Sequence, residues 1–171
     1  MDENKKETVL HSKNIIIATG ARSRELPNIK QDGEFIIGYR EAMTLEKQPK
    51  KITIIGSGAI GIEFAFFYNS MGTEVTVIEY LDRIIPNEDK EISKELRKIL
   101  TKKGVNFLTS TKVSNTKIEN GIVKLEIESN DGSKELLDSE IVLSAIGVKS
   151  NIENIGLEEV GIKIEKENIV V

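Results

Sequence analysis

KKITIIGSGAIGIEFAFFYNSMGTEVTVIEY, residues 50–80, is the stretch whose reading decides the fold. Residues 52–55 are a β-branched run ending on glycine, which predicts a buried strand. Gly56, Gly58 and Gly61 then supply G-x-G-x-x-G, with Ser57, Ala59 and Ile60 between them. The first glycine permits a tight exit from the strand. The second keeps a side chain out of the way of a pyrophosphate, and the third lets helix and strand pack closely. Ile60, Phe64, Phe67, Tyr68 and Met71 recur at helical spacing, and Gly72 follows as the C′ residue. The first turn of such a helix aims unpaired N–H groups and its positive dipole end at phosphates. Val75, Val77 and Ile78 form the next strand, and Glu79 closes it 18 residues after Gly61. That spacing suits a carboxylate accepting the adenosine ribose hydroxyls; the alternative is a solvated charge at a strand end. A carboxylate there repels a 2′-phosphate, and the nearest arginine is Arg83, so NAD is expected over NADP. A lone G-x-G-x-x-G also serves ordinary corners, but here strand, helix and acid agree.

Working outward, Asn87 is expected to cap a helix with Glu88 and Asp89 in its first turn. Its apolar stripe is Ile92, Leu96, Ile99 and Leu100, and it ends at Lys102, Lys103 and Gly104. A third strand over 105–108 completes a βαβαβ unit. Beyond it, 116–119, 122–128 and 134–137 alternate apolar and polar residues around Asn120-Gly121 and Asn130-Asp131-Gly132, the pattern of an antiparallel meander. Residues 140–147, EIVLSAIG, return as a continuous apolar strand that rejoins the parallel sheet. The fold class is therefore α/β: a Rossmann-like βαβαβ parallel sheet with an inserted antiparallel β-meander. Upstream, 14–20 (NIIIATG) reads as another buried strand entering a glycine turn. Residues 21–38 read as loop, 39–45 as a short helix and 1–6 as a charged, frayed start. A strand is also expected over 169–171, and its abrupt finish reads as a cut from a longer chain. The organisation expected is a nucleotide-binding domain over 42–150, flanked by 1–41 and 151–171 from a neighbouring domain.

Composition excludes several other chemistries. The 171 residues carry a net charge of −4 with no basic stripe, so no nucleic-acid partner is expected. No window reaches transmembrane length and no apolar leader is present, so a cytoplasmic protein (or one of an organelle matrix) is expected, without a membrane partner. The absence of cysteine removes a disulfide scaffold, a thiolate metal site and a thiol nucleophile. The single histidine, His11, reads as a surface residue rather than a base or ligand, and no metal is expected. Ser57 lies in no G-x-S-x-G elbow, which argues against hydrolase chemistry.

Three motifs, ATGARSRELP (18–27), GSGAIGIEFA (56–65) and SAIGVKSN (144–151), stand in the order found in two-dinucleotide flavoprotein disulfide reductases, and the chain resembles that family. DRIIPNEDKEISKELRK (82–98) and the Lys102-Lys103-Gly104 exit are similar to its dihydrolipoamide dehydrogenase branch. The resemblance implies an NAD-binding domain carrying the edge of an FAD domain. It implies that Thr19, Gly20 and Ala21 approach FAD, that 56–61 hold the NAD pyrophosphate, and that Glu79 holds its ribose. By the same likeness Val113 lies against the adenine, and Ala145, Ile146 and Gly147 near the nicotinamide half. Glu63 is expected to orient the nicotinamide ring, the alternative being a carboxylate–dipole contact.

The family's C-x-x-x-x-C redox pair and His-Glu base are not in this sequence, so no catalytic residue is expected in the chain and no dihydrolipoamide oxidation by it alone. The implied parent is a homodimer that oxidises dihydrolipoamide borne on a lipoyl domain of a 2-oxo-acid dehydrogenase complex. Alternatives are an NADH oxidase, a mercuric reductase, or a stand-alone dinucleotide-binding module.

Overall fold

The computed structural model describes residues 8–171, so the frayed start expected at 1–6 lies outside the described residues. In chain order the elements are β1 (Ala21–Ser23), β2 (Ile36–Ile37), α1 (Tyr39–Ala42), β3 (Lys51–Ile55), α2 (Ala59–Ser70), β4 (Glu74–Ile78) and α3 (Lys90–Lys102). There follow β5 (Asn106–Leu108), β6 (Thr111–Glu119), β7 (Ile122–Ser129), β8 (Lys134–Ser139), β9 (Ile141–Ser144), β10 (Val148–Ser150), β11 (Ile164–Glu165) and β12 (Asn168–Ile169). The chain divides into two compact units. The larger is Arg22–Lys149; the smaller joins the stretch ending at Ala21 to Ser150–Val171.

In the larger unit, five strands form one sheet in the order β2-β9-β3-β4-β5, with every neighbouring pair parallel. The expected βαβαβ run is β3-α2-β4-α3-β5, and the strand at 141–144 does rejoin the sheet, beside β3. Alternation along each strand feeds two cores. Ile52, Ile54, Val75, Val77 and Leu143 pack with Ala65 and Tyr68 of α2 and Leu100 of α3. Ile55, Ile78 and Val142 point the other way, into Val123, Leu125 and Ile127 of β7. A parallel sheet covered on both faces needs apolar residues at odd and even positions alike, which is why its strands read as unbroken runs. The covering layer is the antiparallel sheet β6-β7-β8. Among the described residues no helix is long and apolar enough to cross a membrane.

Several local expectations are corrected. The stripe read on α2 is only partly its core face: Tyr68 is buried and Ile60 and Phe64 pack against the core, but Phe67 and Met71 are more than half exposed, and the buried set includes Gly61, Ile62 and Ala65. The helix is apolar on all sides, so periodicity could not choose the face; its small residues take the close approach to the sheet. On α3, Leu100 is buried and Leu96 packs beside it, but Ile92 and Ile99 are exposed. Its N-cap is Asp89, whose carboxylate accepts from the Glu91 N–H at 2.8 Å, and not Asn87. The first meander strand starts at Thr111, five residues before the alternation begins, because a bulge between Val113 and Asn115 shifts the phase. The boundary expected at 42 falls inside the larger unit, since 22–41 supply β2 at the sheet edge.

In the smaller unit, 14–20 is not a buried strand. It joins no ladder among the described residues, and Ile15 and Ile16 are 81% and 89% exposed. The strand expected at 169–171 is the second arm of a short hairpin, β11 against β12, turned by Lys166 and Glu167 at positive φ.

Candidate functional site

Strand order reverses at β3, which has β4 on one side and β9 on the other. Open α/β sheets take ligands in the crevice outside the carboxyl ends of the strands at such a reversal. Here that crevice is a cleft of about 620 Å³. Of the residues singled out from sequence, Gly56, Ser57, Gly58, Ala59, Ile60, Glu79, Val113, Ala145, Ile146 and Gly147 all line it. They arrive from the ends of β3, β4 and β9 and from the start of β6, four places far apart in the chain.

The three glycines of the turn do different work. Gly56 leaves β3 at φ 99°, and a Cβ there would lie 2.6 Å from the Ala145 carbonyl oxygen. A Cβ on Gly61 would lie 2.0 Å from the Gly56 carbonyl oxygen. Both distances exclude any side chain, so these glycines hold turn, helix and β9 together. At Gly58 an added Cβ meets nothing within 4 Å; its bareness leaves room on the cleft wall. Gly58 is also the N-cap of α2 and caps no N–H with a side chain. The first-turn N–H groups therefore remain for an anion, with the helix dipole behind them.

Glu79 is 8% exposed, which overturns the alternative of a solvated charge. Its Oε2 accepts from both the N–H and the Oγ–H of Ser57, at 2.8 and 2.6 Å, and its Oε1 accepts from the Leu81 N–H at 2.9 Å. The carboxylate is thus tied to the glycine-rich turn while bordering the cleft.

Two residues fall outside the cleft lining. Gly61 is buried in the turn–helix contact. Glu63 is exposed and borders a second cavity, of about 450 Å³, with Tyr39, Met43, Phe64 and Phe67; Ile60 borders both cavities. No acid stands in the first turn of α2, so the dipole contact considered for Glu63 is not made. In the smaller unit, Gly20 has φ 74°, and the Thr19 and Gly20 carbonyls accept from the side chain and backbone N–H of Asn151 at 3.2 and 2.9 Å, with Ala21 next in sequence.

Sequence reasoning missed Leu26, Tyr80, Leu81, Pro86, Asn87 and Lys112 as cleft residues. Lys112 adjoins Val113, which was the available signal, and its ammonium pairs with Glu128 at 2.9 Å.

A family model described as pyridine nucleotide-disulphide oxidoreductase matches residues 1–171. The dihydrolipoyl dehydrogenase of Rhizobium etli is 45% identical over 166 residues, covering 97% of this chain and 34% of that protein. That of Zymomonas mobilis is 46% identical over 167 residues, covering 96% of this chain and 35% of that protein. The chain therefore spans about a third of the length of these curated relatives. Among solved structures, LpdA from Mycobacterium tuberculosis superposes with a TM-score of 0.75 at 30% identity, over 87% of this chain and 32% of that one. The HOCl-induced flavoprotein disulfide reductase RclA from Escherichia coli gives 0.80 at 25% identity, over 95% of this chain and 37% of that one.

Proposed function

The chain belongs to the pyridine nucleotide-disulphide oxidoreductase family, and from that premise we propose that its cleft binds NAD(H) as the nucleotide-binding part of a dihydrolipoamide dehydrogenase. The observation that carries this is the convergence of the glycine-rich turn, Glu79, Val113 and 145–147 on one crevice at the strand-order reversal. The residues present fit a dinucleotide: the open wall at Gly58 and the uncapped start of α2 suit a pyrophosphate. A carboxylate held at the end of β4 suits ribose hydroxyls and opposes a 2′-phosphate. Val113 offers an apolar wall for the adenine, and Ala145, Ile146 and Gly147 face the other half of the molecule. Glu63 is assigned to the nicotinamide side; it borders the neighbouring cavity, which has Ile60 as a lining residue in common with the cleft.

When bound, NAD supplies the hydride acceptor, and FAD in the whole enzyme supplies the donor. The chain's own share is to bind, orient and keep the nucleotide in one register. Thr19, Gly20 and Ala21 are assigned to the approach to FAD. Oxidation of dihydrolipoamide on a lipoyl domain, service to a 2-oxo-acid dehydrogenase complex and homodimer formation belong to the whole enzyme. Calorimetry on the full 171-residue chain tests the reading: NADH is expected to bind at least about tenfold more tightly than NADPH. Equal affinity for the two, or no binding of NADH, sinks it. With no cysteine in the sequence, mixing this chain with dihydrolipoamide and NAD is expected to yield no NADH.

A further inference from the structure

We propose that Ser57 is a positioning residue for nucleotide discrimination, holding the Glu79 carboxylate in the orientation that accepts NADH and rejects NADPH. The inference rests on the NAD reading of the cleft and goes beyond it by assigning the serine's side chain to the carboxylate and not to the nucleotide. Ser57 is wholly buried, though it sits between two glycines of a turn bordering the cleft. Its hydroxyl and its N–H both donate to Glu79 Oε2, at 2.6 and 2.8 Å. Each carboxylate oxygen offers about two acceptor sites, so Oε2 is filled. Oε1, with only the Leu81 N–H at 2.9 Å, keeps one site for a ribose hydroxyl.

The serine is itself held from a third direction. Its carbonyl accepts the Ile85 N–H at 2.8 Å, and Ile85 sits at φ 38°, a conformation that a β-branched residue adopts only when its surroundings impose it. The segment after β4 is pinned in turn: the Ser93 hydroxyl donates to the Ile84 carbonyl at 2.7 Å, and Arg83 Nη2 to the Pro86 carbonyl at 2.7 Å. Turn, carboxylate and following loop thus form one braced assembly with Ser57 at its centre. Charge-assisted bonds of this length are among the stronger ones in proteins. Without the hydroxyl, Oε2 keeps only the Ser57 N–H and has an unused acceptor site, so the carboxylate is held less firmly in its orientation. It then receives the ribose less well and repels a 2′-phosphate less.

The test uses the full chain with Ser57→Ala and, as a second variant that keeps a weaker donor on a somewhat larger atom, Ser57→Cys. Calorimetric Kd values for NADH and NADPH are the readout, with the thermal midpoint recorded alongside. The expected result is an NADH Kd raised about tenfold, equivalent to about 1.4 kcal/mol, with the NADPH Kd moved by less than about threefold. In a Glu79→Gln background, Ser57→Ala is expected to leave the NADH-to-NADPH ratio unchanged, because the serine acts through that carboxylate. Equal weakening of both nucleotides marks a merely structural serine and overturns the proposal, as does an unchanged ratio for Ser57→Ala alone, or a further shift of the ratio when Ser57→Ala is added to Glu79→Gln. If the unsubstituted chain fails to bind NADH, the NAD reading itself is overturned; if it binds and only the variants behave otherwise than stated, the fault lies with the Ser57 inference alone.

Discussion

Residues 14–20 and 51–58 carry nearly the same text, a β-branched run entering a glycine turn, and meet opposite fates. In β3, Ile52 and Ile54 are fully buried, with β4 paired along one edge and β9 along the other. In NIIIATG, Ile15 and Ile16 face water and no strand lies alongside among the described residues. Preference for the extended state is shared by the two runs; what differs is the presence of neighbours. A β-branched side chain stabilises a strand by fitting a pleated, half-buried surface, and a single strand without a ladder offers no such surface.

The sharpest way to break this comparison is to truncate matched isoleucines. Ile54→Ala is expected to cost about 3 kcal/mol in urea unfolding, and Ile16→Ala less than about 0.5 kcal/mol. Similar losses at both sites would mean that 14–20 is more protected than its exposure indicates. The glycines come next. Gly61→Ala drives a methyl into the Gly56 carbonyl and is expected to destabilise by about 2 kcal/mol. Gly58→Ala is expected to leave stability within about 0.5 kcal/mol while abolishing calorimetric NADH binding, since its Cβ enters open cleft space.

An intermediate case sharpens the same contrast. Among the described residues strand β2 has a partner on one side only, β9, and Asp32 braces its approach. Asp32 Oδ1 accepts from the N–H groups of Glu34, Phe35 and Ile36 at 2.8–2.9 Å. Burial pushes its carboxyl upward, but the N–H groups of Ile36, Glu34 and Phe35 together outweigh that and hold it below the usual aspartate value. Because the folded state has the lower pKa, its stabilisation is complete above the unfolded value and fades as pH falls through the folded one. Asp32→Ala is expected to cost about 1 kcal/mol at neutral pH. The gap between variant and parent, followed by urea unfolding at a series of pH values, is expected to shrink only below the ordinary carboxylate range. A gap that stays constant down to strongly acid pH would contradict the assignment. Smallest of all, Asp89→Ala removes one N-cap bond from α3 and is expected to lower stability by roughly 0.5–1 kcal/mol.

Much of the larger unit was legible because local pattern and global position agree there. The glycine spacing, the run 74–78 with its closing acid, and the return strand at 141–144 each sit where the residues indicated. What was not legible depended on choices that local pattern leaves open. The α2 helix carries Phe66 and Phe67 outside and Gly61, Ile62, Ala65 and Tyr68 inside, so its apolar residues lie on both faces and their spacing alone does not select the buried one. Asn87 and Asp89 are both good caps, and the segment after Pro86 decides between them: the Glu88 N–H donates to the Ile85 carbonyl, so a turn fills the space before the helix begins. Glu79 was located by spacing, but its bonds to Ser57 join positions 22 residues apart and appear only when two strand ends meet. The bulge at Val113 erased the alternation that would have announced the start of β6.

The seat of β9 beside β3 has a consequence for the order in which the cleft is made. Ile52 reaches Val75 across about 23 residues of chain but reaches Ile141 across about 90. Closing the longer loop costs more entropy, and pairings of such sequence separation form slowly. On a ribosome, the glycine-rich turn emerges well before Ala145, whose carbonyl is its floor. The fingerprint most easily read in the chain is therefore the half of the cleft that waits, and the cleft is whole only once β9, the last of the sheet's strands to be made, is seated beside β3.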